Sequence, residues 1–136
     1  MFVIDQIAYD RMVADCLNGY PLEACGLLIG EATQVKQVYP ARNEAQSARV
    51  YTVHPLDMLH ADQHAEATGL EIIGVYHSHT RSEAFPSPTD VAQAPDPSWL
   101  YVLVSLRLEI EEVRGYRIER GNIYEVPLVV ESTKIQ

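Results

Sequence analysis

The stretch LEIIGVYHSHTRSEAFPSPTD, residues 70–90, decides the fold. Its first part, Leu70 to Tyr76, is apolar almost throughout and β-branched at its centre, as in a strand covered on both faces. Its last part, Ser87-Pro88-Thr89-Asp90, places serine at an N-cap, proline at the first helical position and an acidic residue at N3. The stretch therefore predicts a buried strand, a loop and the start of a helix.

The segments on either side alternate between helical and extended patterns. Apolar residues at helical spacing predict helices over residues 4–18 and 56–68. Apolar runs bounded by turn residues predict strands over 24–30, 34–39 and 99–106, with a further extended stretch at 50–53. A hairpin joins residues 109–119 to 122–130 through a turn at Gly121-Asn122. Strands interleaved with helices predict an α/β layered domain with a mixed sheet.

Size and composition narrow the class of protein. The chain has 136 residues, of which 47% are hydrophobic, and its net charge is −9. This length predicts a single domain over residues 1–136, and no segment has the about 18 to 20 apolar residues of a membrane span. Nucleic-acid binding is not expected, because it needs clustered Lys and Arg. Asp5 and Asp10 interrupt the N-terminus where an export signal would be apolar, so we expect a cytoplasmic protein with Cys16 and Cys25 as free thiols.

The two histidines after the buried strand have the spacing of a metal site. In an extended strand, side chains at i and i+2 project from the same face, about 6.5 to 7 Å apart at Cα, so His77 and His79 can converge on one ion. Ser78 must then point to the opposite face. Asp90 could add a carboxylate once the loop folds back. Two imidazoles and one carboxylate leave a fourth tetrahedral position for water, as in catalytic zinc sites.

A simpler interpretation accounts for the same residues. The segment from Ser87 to Asp90 can be only a helix cap, and His77 and His79 can be structural or solvent-facing. The two interpretations are compatible, since a capped helix start can also fix the Asp90 carboxylate beside the histidines.

The full pattern resembles a known family. His77-Ser-His79, seven residues, Ser87, two residues and Asp90 look like the signature of the JAMM or MPN+ metalloproteases. Upstream, YPLEACGLLIG at 20–30 is similar to the segment of that family in which a glutamate, here Glu23, enters a strand. The likeness extends over nearly the whole chain. It implies a three-layer α/β/α, cytidine-deaminase-like fold with a mixed central sheet.

The resemblance also implies roles for individual residues. His77, His79 and Asp90 would bind one Zn²⁺, Glu23 would be the general base for water attack, and Ser87 would stabilise the oxyanion. Without the resemblance, Glu23 is a surface carboxylate at a strand entrance. Two imidazoles and a carboxylate also suit Fe(II), so zinc rests on the resemblance.

Other residues depart from the family pattern. Thr80 stands where many members have proline, which predicts a less rigid loop. Arg81 and Glu83 in this loop could contact substrate or form an exposed salt bridge. Cys25 could be a nucleophile, but a buried small hydrophobe is the expected role.

A second histidine pair competes for the metal. His60 and His64 are one helical turn apart, yet the glutamate of the His-Glu-x-x-His zinc motif is missing between them. The apolar positions Leu56, Leu59 and Leu70 indicate a core face away from His64, so we expect this pair to face solvent.

The resemblance implies a class of substrate. The loop sequence is most similar to a bacterial branch that releases cysteine from an adduct with a ubiquitin-like sulfur-carrier protein. Two alternatives stay open: processing or deconjugation of a ubiquitin-like protein, and a noncatalytic MPN scaffold. The complete ligand set with Glu23 argues against the scaffold. The sequence does not determine the oligomeric state.

Overall fold

The computed structural model describes residues 1–132, so the last four residues of the predicted domain 1–136 lie outside the described residues. One sheet and three helices make up this part of the chain. In chain order the elements are β1 (Phe2–Asp5), α1 (Gln6–Gly19), β2 (Cys25–Glu31), β3 (Gln34–Ala41), α2 (Pro55–Ala67), β4 (Glu71–His79), α3 (Pro88–Ala92), β5 (Leu100–Ser105), β6 (Glu112–Glu119), β7 (Asn122–Val126) and β8 (Leu128–Glu131).

The eight strands form one mixed sheet in the order β7-β6-β5-β4-β2-β3-β1-β8. The predicted buried strand, β4, is central: it runs antiparallel to β2 and parallel to β5. Cys25, at the start of β2, lies opposite His77, near the end of β4. The register therefore brings the segment that contains Glu23 to the edge of the sheet where the histidines emerge.

Helices cover both faces of this sheet. On one face, Ala8, Met12 and Cys16 of α1 pack with strand residues that include Leu28 and Tyr76. On the other face, Val75 and Leu103 belong to a second core cluster, against which the side chains of Val91 and Ala94 pack. Because alternate residues of a strand point to opposite faces, the consecutive residues Val75 and Tyr76 of β4 belong to different cores. The α/β prediction with a mixed sheet is confirmed.

The C-terminal hairpin differs from the prediction. Its turn is Arg120-Gly121, where both φ values are positive, 52° and 79°, as a two-residue type I′ turn requires. The expected second strand, 122–130, is two strands, because Pro127 has no N–H to continue the ladder. Its carbonyl oxygen instead accepts a bond from Phe2 N at 2.9 Å. Strand β8 pairs in parallel with β1, so Pro127 links β7 and β8, the two edge strands of the sheet.

The core face of α2 was predicted wrongly. Leu56 and Leu59 are 52% and 49% exposed, while Ala61 and Ala65 are buried. Small side chains on the buried face allow the helix to lie close to the sheet. The leucines are therefore left on the outer surface, next to the solvent-facing histidines.

The remaining differences are at element boundaries. The first helix begins at Gln6, since Ile4 pairs with Val35 in the sheet. The stretch 50–53 forms only an isolated bridge between Asn43 and Val53. Cys16 and Cys25 are free, as predicted, and both are buried, as expected for Cys25. Among residues 1–132, no helix has both the length and the apolar character needed to cross a membrane.

Candidate metal centre

The end of β4 carries both histidines of the predicted site. The strand extends to His79, three residues beyond its predicted end, and both imidazoles are buried. Their Nε2 atoms lie 3.3 Å apart. The same-face geometry expected for positions i and i+2 of a strand is therefore realised.

The start of α3 brings the carboxylate to the histidines. Ser87 N donates to Asp90 Oδ2 at 2.8 Å, and Asp90 N donates to Ser87 Oγ at 3.1 Å, which is the predicted capping box. The same Oδ2 lies 3.2 Å from His77 Nε2 and 3.0 Å from His79 Nε2. The cap thus fixes the carboxylate at the point where the imidazoles converge.

The donor set fits a metal ion. Of the residues that the structure describes, His77, His79 and Asp90 form the group that could hold one, with ligand atoms all within 4.8 Å of one another. Tetrahedral zinc sites have bonds of about 2.0 to 2.2 Å, which places neighbouring ligand atoms about 3.3 to 3.6 Å apart. The observed separations of 3.0, 3.2 and 3.3 Å are close to this spacing.

A backbone carbonyl orients the second histidine. His79 Nδ1 lies 2.9 Å from the carbonyl oxygen of Glu83. A carbonyl only accepts hydrogen bonds, so Nδ1 carries a proton, and in the neutral ring that a metal ion requires the Nε2 lone pair would face the centre. Burial lowers the pKa of His79, but its bonds to Asp90 and to the Glu83 carbonyl outweigh this and raise it.

The first histidine is held by packing. Tyr51 stacks on the His77 ring, with centroids 4.1 Å apart and planes 21° apart. Burial lowers the pKa of His77 below its usual range and so favours the neutral ring that a metal needs. No sequence signal points to Tyr51, because nothing in the irregular segment 42–54 indicates which side chain folds over the site.

Glu23 lies beside this group. It is buried, with 4% of its surface exposed, and its Oε1 is one of two buried side-chain polar atoms without a hydrogen-bond partner among the described residues. The other is His77 Nδ1. Burial raises the pKa of Glu23 to about 7, while the charge of His79 lowers it and that of Asp90 raises it. The carboxyl therefore interacts with the centre and has the pKa of a general base near neutrality.

The backbone around Glu23 is fixed from two sides. Ser78, which points to the opposite face as expected, accepts from Ala24 N at 2.9 Å through its Oγ, and its own N donates to Ala24 O at 3.0 Å. Asn43 Nδ2 donates to Glu23 O at 3.0 Å, and Glu23 N donates to Ser47 O at 2.8 Å. The residue between the two histidines thus connects their strand to the segment that carries Glu23.

The geometry of the Ser87 hydroxyl is compatible with both predicted roles, the helix cap and the stabilisation of an oxyanion. As a cap its oxygen accepts a bond from Asp90 N. Among residues 1–132, nothing accepts the hydroxyl proton. Capping uses a lone pair and an oxyanion needs a proton donor, so the two roles do not compete.

The loop after His79 is anchored by one of its own side chains and by two side chains from the sheet. Thr80 is buried, and its Oγ1 donates to Ala48 O at 3.2 Å. Ser105 Oγ donates to Ser82 O at 2.6 Å, and the Tyr116 hydroxyl donates to Ala84 O. Arg81 and Glu83 are exposed, and neither forms an ion pair within the described part of the chain.

Neither of the competing candidates joins the centre. His60 and His64 are exposed on α2, as predicted, and His64 Nε2 is 2.8 Å from Gln37 Oε1. Cys25 is buried, and burial raises the pKa of its thiol to about 12. A thiol in that state is not a nucleophile at neutral pH.

The comparison with family models identifies the family. The model described as prokaryotic homologs of the JAB domain matches residues 5–119, and this chain belongs to that family. The match includes Glu23, both buried histidines, Ser87 and Asp90.

Relatives with names support the same assignment. The chain is 35% identical to the CysO-cysteine peptidase of Mycobacterium tuberculosis over 96% of this chain and 91% of the relative. It is 30% identical to the desampylase of Pyrococcus furiosus over 90% and 86% of the two chains. The fold matches a crystal structure of a JAB1/MPN domain protein from Archaeoglobus fulgidus with a TM-score of 0.63, 16% identity and coverage of 96% and 97%. The implied JAMM/MPN fold is confirmed.

Proposed function

We propose that this chain is a zinc-dependent peptidase that acts at the C-terminus of a ubiquitin-like sulfur-carrier protein and releases cysteine from a carrier–cysteine adduct. In this proposal His77, His79 and Asp90 hold one zinc ion per chain. Glu23 is the general base, and Ser87 stabilises the oxyanion.

One observation carries the proposal. Three neutral or anionic ligand atoms converge within 3.0 to 3.3 Å of one another in a buried centre. A buried carboxyl with an unpartnered oxygen interacts electrostatically with two of these ligands. A structural zinc site would have a fourth protein ligand in place of this arrangement. Three ligands with an adjacent base are instead typical of a hydrolase.

The chain's own residues would handle the proton. A zinc ion in this centre would supply a Lewis acid and lower the pKa of a bound water to about 7. Glu23 takes a proton from the attacking water and passes it to the leaving amine nitrogen, so the carboxylate is regenerated. Water adds to the carbonyl carbon and the C–N bond breaks. The products are the carrier carboxylate and free cysteine.

Ser87 would act at the carbonyl oxygen. Its hydroxyl proton has no acceptor among residues 1–132, while its oxygen is held in place by the cap. A donor fixed before the reaction stabilises the negative charge that develops on the carbonyl oxygen.

The named relatives support the substrate class. The similarity to a CysO-cysteine peptidase extends over almost the full length of both chains and favours the cysteine adduct. The similarity to a desampylase favours, as a second candidate, removal of a ubiquitin-like protein from a conjugate. Both reactions cleave an acyl–nitrogen bond after a carrier C-terminus, so the same residues serve either one.

Incubation with a panel of conjugates tests the proposal. The zinc-loaded protein is mixed with a carrier–cysteine adduct, a C-terminally extended carrier and a carrier–lysine isopeptide, and the products are measured by mass spectrometry. We expect the adduct to lose one cysteinyl residue, and the chelated protein to leave it intact. Cleavage of another conjugate but not of the adduct would reject the substrate and keep the chemistry. Cleavage of none would reject the proposed function.

A further inference from the structure

An apolar cavity of about 320 Å³ opens beside the metal centre. Its walls come from the segment 51–53, from Met58 on α2, from Val75 on β4, and from Gln93, Pro95 and Trp99 between α3 and β5. Thr52 and Gln93 are the polar side chains of this wall, and the others are apolar or aromatic. None of the side chains that line it is charged. Neither the proposed metal chemistry nor the proton transfer uses this cavity.

The cavity and the metal centre lie on the same face of the same strand. Val75, His77 and His79 occupy positions i, i+2 and i+4 of β4, so their side chains share one face. At a rise of about 3.3 Å per residue, Val75 is about 7 Å along the strand from His77 and about 13 Å from His79.

One aromatic ring separates the two spaces. Tyr51 stacks on the His77 ring and also lines the cavity. The cavity is therefore directly adjacent to the ligand shell. A substrate chain that extends from the centre on the Tyr51 side would reach the cavity within a few residues.

The distances indicate which residue of a bound chain reaches the cavity. An extended peptide also rises about 3.3 Å per residue, so 7 to 13 Å corresponds to two to four residues from the scissile bond. On the leaving side, a carrier–cysteine adduct has only one residue. The carrier tail is the side that is long enough.

We propose that this cavity is a substrate subsite that binds an apolar side chain of the carrier tail, two to four residues before the scissile bond. The inference rests on the proposed function, because it takes its substrate from there. It adds a sequence preference to that function: a carrier with leucine or a similar residue at this distance binds better than one with only polar residues.

The size of the preference follows from burial. Fully burying one large aliphatic side chain is worth about 1.5 to 3 kcal/mol, which corresponds to about a 10- to 100-fold change in affinity. The benefit arises in binding and is present in substrate and transition state alike, so it appears in KM more than in kcat.

The test uses tail peptides that end in cysteine. One leucine stands at the second, third or fourth position before the scissile bond, and serine replaces it in the reference peptide. With the zinc-loaded protein, we expect one leucine position to lower KM about 10- to 100-fold relative to serine. Met58→Glu, which places a charge in the cavity, should reduce this ratio to near 1. Leu56→Glu puts the same charge on the same helix, at an exposed residue outside the cavity, and should leave the ratio unchanged.

Binding can be followed without turnover. Trp99 is the only tryptophan of the chain and lies in the cavity wall, so its emission reports occupancy. The leucine peptide should shift this emission at a concentration at least about ten-fold lower than the serine peptide. Val53→Phe, which fills the cavity with an apolar side chain, provides a second variant if Met58→Glu unfolds; it should also remove the preference.

The outcomes separate the two proposals. Equal KM values for the leucine and serine peptides, with both cleaved, would overturn the subsite and keep the proposed function. Cleavage of neither peptide would reject the proposed function. The subsite would then be supported if the leucine peptide shifts Trp99 emission at a lower concentration than the serine peptide, and overturned if the two concentrations are equal. A response to N-acetyl-leucine amide without any response to the leucine peptide would assign the cavity to a small apolar ligand and overturn the proposal.

Discussion

The chain has two pairs of closely spaced histidines, and of the described residues only His77 and His79 form, together with Asp90, a group that could hold a metal ion. His77 and His79 are on a central strand, and His60 and His64 are on the outer side of α2. Both spacings place the members of a pair on one face of their element. The inner pair is buried and the outer pair is exposed. The sequence spacing therefore shows only that two imidazoles can approach one metal ion. Whether they form a metal site depends on the residues that pack around them.

Three contacts distinguish the inner pair, His77 and His79, from the outer pair. A carboxylate fixed by a helix cap faces both rings, a backbone carbonyl sets the tautomer of His79, and a stacked Tyr51 holds His77. On the outer pair, His64 Nε2 already has Gln37 Oε1 as its partner. The two pairs therefore differ in the carboxylate, the backbone carbonyl and the aromatic ring that hold the inner histidines in place, and not in the histidines themselves.

Replacing one ring of each pair gives the largest contrast. His79→Ala should remove stoichiometric zinc and reduce turnover by more than the about 10²- to 10⁴-fold that proton transfer alone contributes. His64→Ala, on the exposed helix, should keep both zinc and activity. Metal analysis by mass spectrometry and the rate of adduct cleavage measure the two effects. Equal zinc content in both variants would contradict the assignment of His79 as a ligand.

The carboxyl groups near the two pairs should differ in the same way. Glu23→Gln should keep zinc but lower kcat about 10²- to 10⁴-fold, because the amide cannot accept the proton of the attacking water. Asp62→Asn is the matched control, since Asp62 lies between the outer histidines and is exposed. Kinetics with parallel metal analysis distinguish the two. A Glu23→Gln enzyme with the normal rate would show that another group is the base.

Ser87 at the helix cap should matter for both stability and rate. Ser87→Ala loses the capping bond, which costs about 0.5 to 2 kcal/mol, and loses the hydroxyl donor, which costs about 10²- to 10³-fold in rate. His54 caps α2 by accepting from Leu56 N at 3.2 Å, so His54→Ala is a cap deletion on the helix of the outer pair. His54→Ala should reduce stability and leave kcat unchanged. Chemical unfolding and kcat measure the split, and an unchanged kcat in Ser87→Ala would leave Ser87 with only a structural role.

The fold was largely predictable because its signals are local. The apolar β4 and β5, both main helices and the capping box follow from periodicity and from Ser87-Pro88. The return of β8 to the opposite edge was missed, although Pro127 marks the break. Which edge a strand joins depends on long-range pairing that a local pattern does not contain.

The site was predictable only in part, for a similar reason. The pattern of the three ligands carries a sequence signal, because one strand and one cap fix its spacing. Glu23 lies far upstream of this pattern, and only the resemblance to a known family points to it. Tyr51 and the Glu83 carbonyl carry none. Tyr51 reaches His77 by tertiary packing, and a backbone carbonyl is present in every residue. These parts of the centre appear only when the chain is folded.

The metal-free protein should show the cost of burying Glu23. Its folded pKa, about 7, is above the ordinary value of 4.5 because of burial, so the folded state holds a proton that the unfolded state releases between these values. Stability from this group therefore falls as pH rises from about 4.5 to 7. Glu23→Gln should be more stable than the wild type at pH 8, by up to about 3 kcal/mol, and nearly equal at pH 4. Urea unfolding of both proteins after chelation measures the difference, and Asp62→Asn should show none.

The smallest effect on zinc affinity is expected for Tyr116, which contacts the loop that orients His79 and not the histidine itself. The Tyr116 hydroxyl holds the Ala84 carbonyl, next to the Glu83 carbonyl that orients His79. Tyr116→Phe should cost about 1 kcal/mol of stability and lower zinc affinity by less than about ten-fold, since direct partners of ligands cost 10- to 100-fold. Tyr124→Phe, on the exposed side of β7, should change neither. Zinc titration against a competing chelator is sensitive enough to resolve the difference. If Tyr116→Phe loses stability at unchanged zinc affinity, the bond from Tyr116 to Ala84 does not affect the position of the Glu83 carbonyl. The orientation of His79 then depends on the Glu83 carbonyl alone.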